Sequence, residues 1–188
     1  MAAATLTNLF IPQTIEQAPE KSRPILEEIQ KNFGFIPNLM ATFANSPVVL
    51  EGYLAMDAAF QKGSFTPGEQ QIILLAASVE NKCNYCMAAH STIAKGFLNV
   101  AADTISAIRK NTPVADKKLD SLVNLTREIV RERGHVKPAT VTAFLAAGYR
   151  KEQVMELLLG VALKTVSNYL DHISPAELDA AFLAEGAR

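Results

Sequence analysis

Cys83 and Cys86 are the only sulfhydryls of this 188-residue chain, and His90 follows the second by four positions in the stretch "VENKCNYCMAAHS". On a helix each residue advances about 100°, so these three side chains fall within roughly 60° of one another and can form one site. Residues three apart in a first helical turn sit near the Cα separation that a disulfide requires, so the pair can close and open with little backbone movement. A thiol is nucleophilic only as thiolate, and unpaired helix N-terminal N–H groups, Lys82 and His90 are three local features able to lower a cysteine pKa here. Cys86 is therefore the expected attacking sulfur, with His90 as the base that holds or shuttles its proton. Attack on a peroxide O–O bond would leave a sulfenic acid, with which Cys83 can condense to a disulfide, and an external dithiol would then reset the pair.

Glu80 lies one turn before Cys83 and shares its face if the helix is continuous there, where it could relay a proton; the plainer expectation is a solvated helix-end carboxylate. Tyr85 is expected to pack with its hydroxyl satisfied, with a catalytic contact as the sharper alternative. A metal site competes with the redox reading, but two thiolates and one imidazole leave a closed zinc site one ligand short. His135 and His172 sit in no ligand pattern and read as loop and helix-end residues. No phosphate loop, dinucleotide fingerprint or serine nucleophile elbow appears, so neither cofactor nor metal is expected.

The elements that must position these residues read as helices. Apolar residues recur at helical spacing almost throughout, and β-branched runs are short, which predicts an all-α bundle in a single domain over 1–188 with an irregular arm over 1–18. Helices are expected over Pro19–Phe33, Asn38–Ala44, Pro47–Gln61, Pro67–Asn81, Tyr85–Phe97, Asp103–Lys110, Lys117–Arg133, Pro138–Ala147, Glu152–Asp171 and Pro175–Ala184. Thr66, Pro67 and Glu69 spell a capping box, Ser46, Asp116 and Ser174 are further caps, and Gly34 suits a left-handed helix end. "QQIILLAASV" is apolar nearly all round and belongs at the centre of the bundle or in a subunit interface. "REIVRERG" reads as a solvated face. An echo between "GSFTPGEQQIILLAASVENKCNY" and "GYRKEQVMELLLGVALKTVSNY" suggests a duplicated two-helix unit, with Val166 in the second copy where the first has Cys83.

A net charge of −1 and 49% hydrophobic residues describe an ordinary globular protein and give no footprint for nucleic acid. No run of about 18 uncharged apolar residues occurs, so no membrane partner is expected. Met1–Phe10 carries no basic residue or cleavage pattern, and the expected location is cytoplasmic, where a close cysteine pair reads as a redox device rather than a scaffold bridge.

"CNYCMAAH" after a Thr-Pro-capped apolar helix resembles the signature of the carboxymuconolactone decarboxylase and alkylhydroperoxidase D-like superfamily, nearest its peroxidase-related members with Cys-x-x-Cys-x-x-x-His. "FGFIPNLMATFANSPVVLEGY" and "AGYRKEQVMELLLGVALKTVSNYLDH" are similar to the segments before and after that signature, so the resemblance covers about Pro19 to Asp171. It implies an all-helical fold, a homo-trimer or homo-hexamer, and thiol-dependent reduction of hydrogen peroxide or small organic hydroperoxides. It implies Cys86 as the attacking thiol, Cys83 as the resolving thiol and His90 in a proton relay. Two positions depart from the pattern. Tyr85 stands where the best-studied members have histidine, and Gln71, which exchanges no proton at neutral pH, aligns with the relay glutamate. Glu80 or Glu69 would have to replace that glutamate, or the relay is weaker. A lactone decarboxylase on the same fold and a non-catalytic redox or metal-binding module are the competing expectations.

Overall fold

The computed structural model describes residues 9–186. Among them are nine α-helices and two 3-10 turns, and no strand. The helices are α1 (Arg23–Phe33), α2 (Asn38–Phe43), α3 (Pro47–Gln61), α4 (Pro67–Glu80), α5 (Asn84–Gly96), α6 (Ala102–Arg109), α7 (Lys117–Arg131), α8 (Pro138–Ala146) and α9 (Lys151–Ile173). The all-α expectation is met, and most local signals act as their chemistry requires, although Ser46 precedes α3 without a side-chain cap bond. Thr66 and Glu69 form the reciprocal capping box of α4, Asp116 accepts from Lys118 and Leu119 N–H at the start of α7, and Gly34 ends α1 at φ 80°.

α4 is the axis of the bundle. Ile72 through Ser78 are buried without interruption, and α5, α6, α7 and α9 all pack on this helix. One hydrophobic cluster joins Phe60, Ile73, Leu75, Ile108, Leu122, Leu125, Phe144, Leu157 and Leu163. A second surrounds the cysteines with Leu26, Ile29, Leu39, Phe43, Leu50 and Phe182. A helix apolar on every side has no solvent face to offer, so neighbours must cover it all round, and the end of α4 is thereby held rigidly at the start of α5.

Four expectations are corrected. The segment before α1 is a 3-10 turn, Glu20–Ser22, rather than a first helical turn from Pro19. Pro175–Ala184 is not a helix: residues 175–179 are irregular and lead into a 3-10 turn over Ala180–Glu185. Its polar groups bond elsewhere, for Ala176 N–H goes to Asp171 and Asp179 accepts from Asn38 N–H and the Tyr85 hydroxyl. Ser174 is therefore no cap; its hydroxyl donates to Phe10 C=O at 3.1 Å and accepts from Phe10 N–H at 3.2 Å, tying down the described part of the arm. Residues 1–8 of that arm lie outside the described residues. Finally, "REIVRERG" is not wholly solvated, because Arg127 is 5% exposed and donates to Ile108 C=O at 3.0 Å.

Candidate active site

The cysteine pair sits where α4 stops and α5 starts. Lys82 takes a left-handed conformation, φ 59°, and turns the chain; Cys83 N–H then bonds back to Ser78 C=O at 3.0 Å. Asn81 donates to Asn168 Oδ1 at 3.0 Å, and buried Asn168 on α9 reaches Ser78, so the turn is clamped from a third element. Cys83 is not on the helix but caps it, in extended conformation, its sulfur accepting from Cys86 N–H at 3.4 Å. The two sulfurs meet through this cap rather than by sharing a helical face. Both are free thiols, 1% and 2% exposed.

Their surroundings differ. Cys86 lines a cavity of about 460 Å³, whereas Cys83 lies behind it and does not. The cavity walls are mostly apolar, with Ile29, Leu39, Leu54, Leu74, Ile93 and Phe182 among them, and its outer end is bordered by exposed Phe33, Gln61 and Pro67. At the inner end Cys86 is joined by Gln71, His90, Tyr53, Asp57 and Lys164.

His90 Nδ1 lies 2.9 Å from Gln71 Oε1. With the amide oxygen facing it, Nδ1 carries the hydrogen and Nε2 keeps a free lone pair. Burial, reinforced by the Lys164 charge, holds the imidazole pKa well below its ordinary value, so His90 is neutral and can only accept a proton at Nε2. Gln71 thus orients the ring without exchanging a proton with it.

The remaining residues singled out from the sequence lie elsewhere or are already engaged. Glu80 ends α4 and its charge acts on buried Arg127, away from the cavity; the broken helix at 81–83 removes the shared face with Cys83. Glu69 is taken by the Thr66 cap, by the Tyr149 hydroxyl at 2.9 Å and by Lys118 at 3.3 Å. Tyr85 presents its ring to the cavity but donates its hydroxyl to Asp179, and its pKa is pushed up by burial and by that bond. Lys82 is exposed at the turn, and the cation that acts on Cys86 is Lys164 of α9, 1% exposed. Sequence reasoning missed Lys164, Asp171 and Asp57. A lone lysine in "VALKTVSNY" carries no motif, and its one available signal was its place among apolar residues on the buried side of α9.

The thiols are pushed in opposite directions. The hydrogen bond from Cys83 and then the Lys164 charge lower the Cys86 pKa against the desolvation that opposes them. The same bond to Cys86, burial and the Asp171 carboxylate raise that of Cys83. Asp171 Oδ2, 3.3 Å from Cys83 Sγ, is the alternative acceptor for its single hydrogen. The arrangement is a thiol of lowered pKa facing a cavity, a thiol of raised pKa behind it and an imidazole of lowered pKa beside it. Among the described residues no three His, Cys, Asp or Glu side chains converge as a metal site, and no helix is long and apolar enough to cross a membrane.

Residues 47–116, which span α3 to α6 and hold the whole cysteine signature, match the carboxymuconolactone decarboxylase family. No curated protein matches the chain. Among solved structures, the fold is similar to that of an uncharacterized peroxidase-related protein from Ralstonia eutropha JMP134, described as an alkylhydroperoxidase AhpD core, with TM-score 0.82, 21% identity and 96% of each chain covered. A peroxidase-related protein from Silicibacter sp. TM1040 aligns with TM-score 0.79 at 16% identity, over 97% of this chain and 96% of that one. The debrominase Bmp8, in complex with 2,3,4-tribromopyrrole, aligns with TM-score 0.80 at 16% identity over 97% of both chains. The cysteine signature thus lies within a segment that matches the carboxymuconolactone decarboxylase family, and the helical fold along nearly the whole chain is similar to that of the alkylhydroperoxidase D-like core.

Proposed function

We propose that this protein is a thiol-dependent peroxidase that reduces a small hydroperoxide through a Cys83/Cys86 dithiol–disulfide cycle. The observation that carries this reading is the asymmetry of the pair, in which one sulfur lines the cavity and the other stands directly behind it. The Cys86 thiolate attacks the distal peroxide oxygen, an S–O bond forms, the O–O bond breaks, and the departing alkoxide takes a proton to leave as alcohol or water. The sulfur, oxidised by two electrons, is then a sulfenic acid. Cys83 attacks it, the thiol proton leaves with the hydroxyl as water, and the disulfide forms. An external dithiol returns two electrons and two protons. His90 Nε2 serves as the local proton acceptor during this exchange.

The decisive experiment is peroxide consumption with a dithiol supplied. Cys86→Ser should abolish turnover, and Cys83→Ser should accumulate a sulfenic acid on Cys86 that dimedone traps. Full turnover in Cys86→Ser would refute the assignment.

A second electrophile is favoured by the apolar lining and by a volume well beyond the needs of hydrogen peroxide: a halogenated ring, the ligand class seen in the similar debrominase. Both chemistries end in the same disulfide, so parallel assays with cumene hydroperoxide and a bromopyrrole separate them. Decarboxylation of a carboxylated lactone, suggested by the family description, needs no thiol pair and would survive in the double serine variant.

The homo-oligomer expected from the resemblance would use the exposed apolar stripe of α9. Met155, Leu158, Val166, Tyr169 and Ile173 recur at helical spacing on its outer face. Beside them α3 presents exposed Val48, Gly52, Ala55 and Ala59, a strip without charge or bulk that lets a second copy approach closely.

A further inference from the structure

α9 runs unbroken for 23 residues past the cysteine pair and sets two buried charged side chains against it. Lys164 and Asp171 are seven residues apart, two helical turns, so they project from one face. Each faces a different sulfur: Lys164 lines the same cavity as Cys86 and its charge acts on that thiol, and Asp171 Oδ2 lies 3.3 Å from Cys83 Sγ. Lys164 forms no ion pair with a carboxylate among the described residues. Asp57, which shares its cavity, is hydrogen-bonded to Gln61 at 2.6 Å. A sequestered ammonium without an anion is costly and normally surrenders its proton, so the fold must supply one. The acidic groups that reach it from the packed elements are Tyr53 and Asp57 on α3, Cys86 on α5 and Cys83 at its cap; His90 is neutral, and α4 brings only Gln71.

We propose that α9 assigns the two cysteines their roles: Lys164 is the counter-ion that keeps Cys86 as thiolate, and Asp171 is the acceptor that keeps Cys83 as thiol. Lys164 then acts on the reacting sulfur as the positive charge of its cavity, and Asp171 is a positioning residue that acts through Cys83. The directions of the pKa shifts agree. Burial opposes the Lys164 charge, but Cys86, Tyr53 and Cys83 raise its pKa on balance, and Asp171 helps to raise that of Cys83. Without this division both thiols would be protonated at neutral pH, or either could attack first, and attack from Cys83 would be blind to the cavity.

The inference rests on the dithiol reading but not on the identity of the oxidant. It is tested on the reduced protein, without peroxide, by peptide-resolved alkylation of Cys86 with iodoacetamide across pH 5 to 9.5 and, for Cys83 behind the cavity, by thiolate difference absorbance near 240 nm against Cys83→Ser, carried up to pH 11. In the unaltered protein Cys86 should titrate with a midpoint below the ordinary thiol value and Cys83 with one above it. Lys164→Met should move the Cys86 midpoint up by at least one pH unit and slow its alkylation at pH 7 at least tenfold, and Lys164→Arg should restore most of that loss. Asp171→Asn should move the Cys83 midpoint down by at least one unit. An unmoved Cys86 midpoint in a folded Lys164→Met protein overturns the proposal. Should that variant not fold, an unmoved Cys83 midpoint in Asp171→Asn overturns it equally. A normal alkylation pattern with no peroxide turnover would sink the peroxidase reading and leave this one standing.

Discussion

Replacing Gln71 by glutamate should convert His90 from a passive acceptor into a titrating member of a relay. The amide oxygen already lies 2.9 Å from His90 Nδ1, so a carboxylate oxygen of the same reach accepts the same hydrogen without repacking. A full negative charge within hydrogen-bond distance raises a histidine pKa by about 1 to 3 units, or about 1.4 to 4 kcal/mol in favour of the imidazolium. The imidazole now starts well below its ordinary value because burial and Lys164 both oppose its charge. A shift of that size returns it toward neutrality, where an acid–base group is most effective. The opposing effect is that a new anion in the cavity disfavours the Cys86 thiolate, although Lys164 stands between the two effects as a shared counter-charge. General acid–base assistance is worth about 100-fold or more, whereas a one-unit rise in thiolate pKa costs at most about tenfold, so the relay should win. The expected outcome is a turnover at pH 7 at least about tenfold higher, with a new ionisation in the rate profile at a higher pH than that of His90 in the parent. Imidazole resonances of the three histidines, followed by NMR through the same range, should show His90 alone changing its titration. An unchanged rate profile together with an unmoved His90 pKa would refute the reasoning.

Three further outcomes follow from packing and capping. Gly160→Ala gains about 1 kcal/mol of helix propensity, but its Cβ would fall 2.8 Å from two ring atoms of Phe60, which is 1% exposed; overpacking at about 1 to 3 kcal/mol outweighs the gain, and urea unfolding should show a net loss of about 1 kcal/mol. Phe60 also lines the cavity, so the same variant should raise KM more than it lowers kcat. Glu69→Gln should cost about 1 kcal/mol at neutral pH; burial favours the acid, but bonds from Thr66 N–H, the Tyr149 hydroxyl and the Thr66 hydroxyl hold the folded pKa below the ordinary carboxylate value. Stability from such a group is present above the ordinary value and lost as pH falls through the depressed one, so the variant and parent unfolding curves should converge in acid, and a constant gap would count against it. Val166→Lys, at the centre of the exposed α9 stripe, should reduce the mass seen by light scattering without loss of helicity; an unchanged mass would place the oligomer interface elsewhere.

How far the site could be read from the sequence depends on whether its chemistry is local. Cys83, Cys86 and His90 are close along the chain, so spacing alone brings them together, and the Thr66 cap and Gly34 end follow from residue chemistry within one turn. The Pro175–Ala184 segment failed because its preference for helix lost to long-range partners, Asp179 bonding Asn38 and Tyr85 across about 140 and 94 residues of chain. Glu80 failed for a related reason. Its proximity to Cys83 is real in sequence, but one left-handed residue, Lys82, reorients the chain and sends that carboxylate toward Arg127. The charges that distinguish the sulfurs come from α9, some 78 to 88 residues away, and no local pattern announces them. What a signature of this kind encodes is two sulfurs able to meet; which of them becomes the nucleophile is decided by the helix laid across them.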